Sequence, residues 1–260
     1  MVLPCLVLGL ATGLLAGLLG VGGGLVIVPA LMLLFEYHGW PAQHIPHLAI
    51  GTSLATIVVT SVAALRTHHH HGAILWPVVI RLSPGLIAGT AGGAALAVHL
   101  DSELLRWVVA VFAVLVSLQM MLNIRPPAGR PLPGATGLAG IGAGIGAVSA
   151  LVGIGGGSLT TPFLVWCNQP LRQAIATSAA GGLPIALAGA AAYLLAGLGT
   201  TGLPAFSSGY LYWPAFAGIA IGSMITAGLG ARLTHRLPVT VLKRVFAVLL
   251  LGVALRLVWP

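Results

Sequence analysis

Two glycine triplets carry the residue types best suited to holding a small charged ligand. Gly22, Gly23 and Gly24 stand in GLLGVGGGLVIVPALML, and Gly155, Gly156 and Gly157 in ALVGIGGGSLTTPFLV. Glycine weakens a helix interior by about 1 kcal/mol relative to alanine, so three in a row ahead of a proline mark a place where a helix opens. A helix restarting after Gly24 or Gly157 presents unpaired N–H groups and a positive dipole end of roughly half a charge, which is the chemistry of an anion site. Ser158, Thr160 and Thr161 add hydroxyls in the second stretch, where the first has Leu25, Ile27 and Val28, so the expected site is asymmetric. Thr52-Ser53 and Thr177-Ser178 open two further apolar segments and are additional donor candidates. The competing reading of those pairs is that Ser and Thr in helices bond back to their own backbone.

Arg81 is the basic residue set well inside an apolar segment, which makes it a candidate for the ligand site. Its alternative is a head group snorkelling to an interface. The candidate ligand-binding set is therefore Gly22, Gly23, Gly24, Gly155, Gly156, Gly157, Ser158, Thr52, Ser53, Thr177, Ser178 and Arg81.

Other chemistries have little to work with. The only acids are Glu36, Asp101 and Glu103, all outside the apolar spans, and no Ser, His and Asp are spaced for a hydrolytic group, so no enzyme activity is expected. No cofactor motif is present. Four consecutive histidines at 68–71 lack the spacing of a helix-borne metal site and read as a solvated loop, and His44 and His47 read as interface residues. Cys5 and Cys167 sit in apolar surroundings without CxxC spacing and read as small buried residues.

The elements that position the triplets follow from composition. Of 260 residues 58% are hydrophobic and 5% charged, which excludes a soluble domain. The mean hydropathy of +1.07 and continuous apolar runs describe a polytopic α-helical membrane protein, not a β-barrel. The net charge of +8 comes from residues scattered at segment ends, which mark loops beside a bilayer and form no nucleic-acid-binding stripe. The apolar run at 2–35 has no basic leader and reads as part of the fold.

The chain repeats itself. The triplets, Gly20 with Gly153, and Pro29 with Pro162 all match at an offset of 133 residues. Thr52-Ser53 match Thr177-Ser178 at 125; Trp76-Pro77 match Trp213-Pro214, Gly85 matches Gly222, and Leu105-Arg106 match Leu242-Lys243, all at 137. Repeat one, 1–124, holds a broken segment at 2–35 and spans at 48–65, 74–98 and 104–122. After a linker at 125–133 with Pro126, Pro127, Pro131 and Pro133, repeat two, 134–260, holds a broken segment at 134–166 and spans at 171–198, 211–231 and 238–259.

Each broken segment is longer than the roughly 20 residues that cross a bilayer. Opened backbone in lipid must be buried in protein or line a cavity, and such breaks in both halves point to the binding site of a secondary transporter. Basic residues mark the connection with Arg66, the linker with Arg125 and Arg130, and the last connection with Arg232, Arg236, Lys243 and Arg244. The connection with Asp101, Glu103 and Arg106 is net negative where its counterpart is the basic last connection, and the counterpart of the connection with Arg66 has no Lys, Arg, Asp or Glu. Equivalent loops thus differ in character, which predicts two inverted repeats whose first segment is re-entrant at the triplet.

The doubled GLxGxGGGxxxxPxL pattern, the TS pair after it, the Trp-Pro opening of the third segment and the Leu-(Arg/Lys) start of the fourth resemble the sulfite exporter TauE/SafE family over nearly the whole chain. The resemblance implies a multi-pass transporter of the bacterial inner membrane that exports small sulfur-containing anions such as sulfite or organosulfonates. Its partners would be that anion and the bilayer, with no nucleic acid. The alternatives are a passive anion channel and a metal-ion permease using the histidines.

Overall fold

The structure, a computed structural model, describes residues 1–19, 23–122, 129–233 and 239–259. Gly22, Gly20, Arg125 and Arg236 lie outside these residues. The first half contains α1 (Val2–Leu19), α2 (Gly24–Tyr37), α3 (Ile45–His70), α4 (Trp76–His99) and α5 (Ser102–Met121). In the second half follow α6 (Ala135–Val152), α7 (Gly157–Trp166), α8 (Leu171–Ala196), a two-residue hairpin of β1 (Ser207–Ser208) and β2 (Leu211–Tyr212), α9 (Trp213–Leu233) and α10 (Val239–Val258). Among the described residues α3, α4, α5, α6 and α8 are each long and apolar enough to cross a membrane. The chain is a multi-pass α-helical membrane protein.

Several boundaries differ from the sequence reading. Helix α3 extends through His70, so three of the four histidines form its last turn instead of a loop, with His69 packed 5.7 Å from Trp76. Nothing in that run breaks a helix before Gly72, which takes a left-handed φ of 61°. The span expected from 211 begins at Trp213, because Leu211 and Tyr212 pair with Ser207 and Ser208. Pro77 and Pro214 fall in the first turns of α4 and α9, where the missing N–H has no intrahelical partner to lose.

The halves pack by exchanging helices: α1 lies along α9, and α6 lies along α4. The contacts are the same on both sides. A Cβ built on Gly9 would lie 2.6 Å from the carbonyl oxygen of Ile219, and one built on Gly142 would lie 2.6 Å from that of Leu82. Gly9 corresponds to Gly142 at the offset of 133, and Leu82 to Ile219 at 137. Gly13 against Ser223 is likewise repeated by Gly146 against Leu86, and Gly222 against Leu6 by Gly85 against Ala139. Backbones this close admit only glycine, the packing that small residues make possible between apolar helices.

Two ends can be distinguished. At one, Arg106 pairs with Glu36, Ser102 bonds the Gln43 carbonyl, and Trp40 and Phe35 pack on Tyr212 at 4.8 and 5.9 Å. This end carries all three acids. At the other, the N–H groups of Gly129 and Arg130 donate to the carbonyl of Trp166 at 3.4 and 3.3 Å, and the Arg130 guanidinium sits 4.6 Å over the Trp166 ring. The chain therefore enters α6 and leaves α7 at one end, the end that also holds Arg66 and Arg172. Helix α2 is buried on nearly every side, with Leu25, Ile27, Val28, Leu31, Met32 and Phe35 at 3% exposure or less, which explains its unbroken apolar sequence.

Candidate functional site

The site is built where the two glycine stretches meet. Helix α6 stops at Val152 because Gly153 turns left-handed at φ 74°, and its N–H closes the last turn on the Ser149 carbonyl at 2.8 Å. Gly156 is left-handed as well, at φ 70°, and serves as N-cap of α7. Between these two turns the chain passes from one helix to the next over Ile154 and Gly155. Helix α2 begins beside it: a Cβ on Gly24 would lie 2.8 Å from the Gly153 carbonyl oxygen and 3.1 Å from the Ile154 Cα.

This junction lies deep in the molecule. Gly155 faces Ile57 and Gly182, which are near the middles of α3 and α8. Gly156 faces Ile145, Ile185 and the Ser149 hydroxyl, and Gly182 lies beside the Ser61 hydroxyl. The side chains nearest these glycines are apolar except for those serines. Helix α7 has no side-chain cap; Leu159 and Thr160 donate to the Gly156 carbonyl at 3.1 and 2.8 Å, which leaves the N–H groups of Gly157 and Ser158 without an intrahelical partner at the positive dipole end beside the junction.

The structure places the remaining candidates as follows. Gly23 caps α2 with helical φ and lies against Thr12, and Gly157 opens α7. Ser158 is the second residue of α7, with its Oγ buried and without a hydrogen-bond partner. Ser53 reaches the junction directly, donating to the Gly153 carbonyl at 2.8 Å. Ser178 donates to the Ile175 carbonyl at 2.9 Å and shares a 2.8 Å bond with Thr161 on α7.

Thr52 and Thr177 are engaged elsewhere. Each accepts a backbone N–H at 3.0 Å, from Tyr212 and Leu75 respectively, just ahead of α9 and α4. Their hydroxyls pin the entry of those helices. Arg81 is exposed on the outer face of α4, in its second turn, and is not brought to the junction. Its position near the helix start suits a snorkelling head group.

Ser149 is the residue that sequence reasoning missed. It is fully buried, and its Oγ has no partner. Its signal was its place four residues before Gly153, one helical turn from the break. Nothing in the apolar sequence of α6 shows that this hydroxyl turns inward.

The comparisons agree with this architecture. The family model described as Sulfite exporter TauE/SafE matches residues 5–257. A probable membrane transporter protein of Haemophilus influenzae is 36% identical over 98% of this chain and 97% of its own length. Similar proteins of Methanocaldococcus jannaschii and Bacillus subtilis, both also named probable membrane transporter proteins, are 27% and 25% identical over 91% and 89% of the chain, and over 88% and 89% of their own lengths. No solved structure matches. With helices that cross a membrane, a doubled glycine break and a family match over nearly its entire length, the chain belongs to the sulfite exporter TauE/SafE family of membrane transporters.

Proposed function

We propose that this protein is a secondary transporter, and not an enzyme, that exports small sulfur-containing anions such as sulfite or organosulfonates across the bacterial inner membrane. One observation carries the reading: the uncapped N-terminus of α7 opens beside the start of α2, at mid-depth between α3 and α8. Main-chain N–H groups there suit a ligand of negative charge, in a setting dry enough to make each of them count.

Two inverted repeats are supported by the exchange of helices between the halves, α1 with α9 and α6 with α4. A re-entrant first segment is supported by the bonds from Gly129 and Arg130 to Trp166, which bring the chain back to its starting end. A segment that enters and returns leaves three crossings per half, and an odd number turns the second half upside down. The end holding Arg66, Arg130 and Arg172 is then cytoplasmic. In this reading Gly23, Gly24, Gly155, Gly156, Gly157, Ser53, Ser158 and Ser178 line the path, Gly22 joins them by sequence alone, and Thr52, Thr177 and Arg81 support the fold.

Flux into proteoliposomes tests the proposal. Saturable movement of sulfite or sulfoacetate that Gly156→Leu abolishes is the expected result. Flux that rises linearly with concentration indicates a passive channel. Metal-dependent flux lost when residues 68–71 are replaced by alanine indicates a metal-ion permease and ends the anion reading.

A further inference from the structure

Two buried hydroxyls that flank the second glycine break have no hydrogen-bond partner. Ser149 is fully buried, and its Oγ lies 3.4 Å from the position a Cβ on Gly156 would occupy. Gly156 caps α7, and Ser158, whose Oγ is also buried and unpaired, is two residues further on. Buried hydroxyls are nearly always paired. Elsewhere in these helices Thr12, Thr56, Ser83 and Thr90 satisfy themselves by donating to the carbonyl four residues back. Ser149 makes no such bond.

The surroundings restrict the charge of what these groups can hold. The atoms nearest Gly155, Gly156 and Gly182 belong to isoleucine, glycine and serine, and among the described residues no Lys or Arg is buried, while the buried His44 and His47 lie at the acidic end. The dipole end of α7 offers roughly half a charge. Removing an ion from water costs more as the square of its charge, so a second negative charge would go uncompensated. At the matching positions of the first half the chain has Ala16 and Leu25, which have no hydroxyl.

We propose that Ser149 and Ser158, with the N–H groups of Gly157 and Ser158 at the start of α7, form a one-sided site for the head group of a monoanionic sulfur oxyanion, a sulfonate or hydrogen sulfite, that discriminates against dianions such as sulfate. The site rests on the transport reading above and specifies its cargo. Each hydroxyl donates to one oxygen of the head group, and the helix end carries the charge.

Calorimetric titration of the purified full-length protein with methanesulfonate, sulfite and sulfate tests it, on the wild type, Ser149→Ala, Ser149→Thr and Ser158→Ala. Methanesulfonate should bind the wild type at least about tenfold more tightly than sulfate. Each alanine variant should weaken methanesulfonate roughly tenfold, the step of one charge-assisted hydrogen bond. Ser149→Thr should retain affinity, and the melting temperature of unliganded Ser149→Ala should not fall, since no native bond is removed. Unchanged methanesulfonate affinity in Ser149→Ala, or sulfate binding as well as methanesulfonate, overturns the site. If Ser149→Ala does not fold, Ser158→Ala and the sulfate comparison decide. Sulfite flux that is intact in both alanine variants defeats this site and leaves the transport reading standing, whereas the absence of binding and flux for every anion defeats both.

Discussion

Tyr212 donates its backbone N–H to the hydroxyl of Thr52 at 3.0 Å, across 160 residues of chain. Leu75 does the same to Thr177, also at 3.0 Å, and the two bonds are copies of each other under the sequence repeat. Each ties the residue just ahead of a Trp-Pro helix start to the opposite half. The fold is thereby stitched at both ends by the same device.

Removing one stitch should cost stability and leave ligand affinity alone. Thr52 is fully buried, so Thr52→Val strands a donor and should destabilise by about 1–3 kcal/mol, while Thr52→Ser stays close to wild type. Thermal unfolding in detergent measures the difference. A Thr52→Val protein of normal stability that has lost sulfite affinity would return Thr52 to the ligand site.

The glycine interfaces between the halves should tolerate no side chain. Gly142→Val places carbon where the Leu82 carbonyl oxygen stands 2.6 Å away, and Gly9→Val repeats the conflict at Ile219. Both variants should lose folded protein in size-exclusion chromatography. Gly140, on the same helix as Gly142, has nothing within 4 Å of its Cβ position, so Gly140→Ala should be neutral or stabilising by up to about 1 kcal/mol. Equal behaviour of Gly140→Ala and Gly142→Val would contradict the packing.

Gly156 combines two demands. Its φ of 70° disfavours any side chain by about 1–2 kcal/mol, and a Cβ there would lie 2.6 Å from Ile185 Cδ1. Gly156→Ala should therefore lower both stability and anion affinity. Adding Ile185→Val should recover part of the stability by making room. A double variant no more stable than the single one would show that the backbone, and not the contact, sets the cost.

Topology is open to chemical labelling, since both native cysteines are buried. Single cysteines at the exposed positions Gly129 and Asn168 should react with an impermeant maleimide from the same side of the membrane. A cysteine at Gly39, exposed at the acidic end, should react from the other side. Labelling of 129 and 168 from opposite sides would rule out the returning segment formed by α6 and α7.

What the sequence determined by itself was whatever depends on local composition and repetition. Continuous apolar runs dictated membrane helices, the three offsets dictated a duplicated unit, and GGG ahead of proline dictated where α2 and α7 begin, because backbone cost is a local quantity. The tertiary structure alone decided which hydroxyls are spent and which are free. Ser53, Thr52, Ser149 and Ser158 look alike in sequence, yet Ser53 bonds the Gly153 carbonyl, Thr52 holds Tyr212, and Ser149 and Ser158 stay unpaired. Arg81 likewise reads from sequence as either a ligand group or a snorkelling head, and only the structure puts it on an exposed face of α4. Hydrogen-bond partners come from segments a hundred or more residues away, and in an almost uniformly apolar chain no periodicity shows which helix face turns inward.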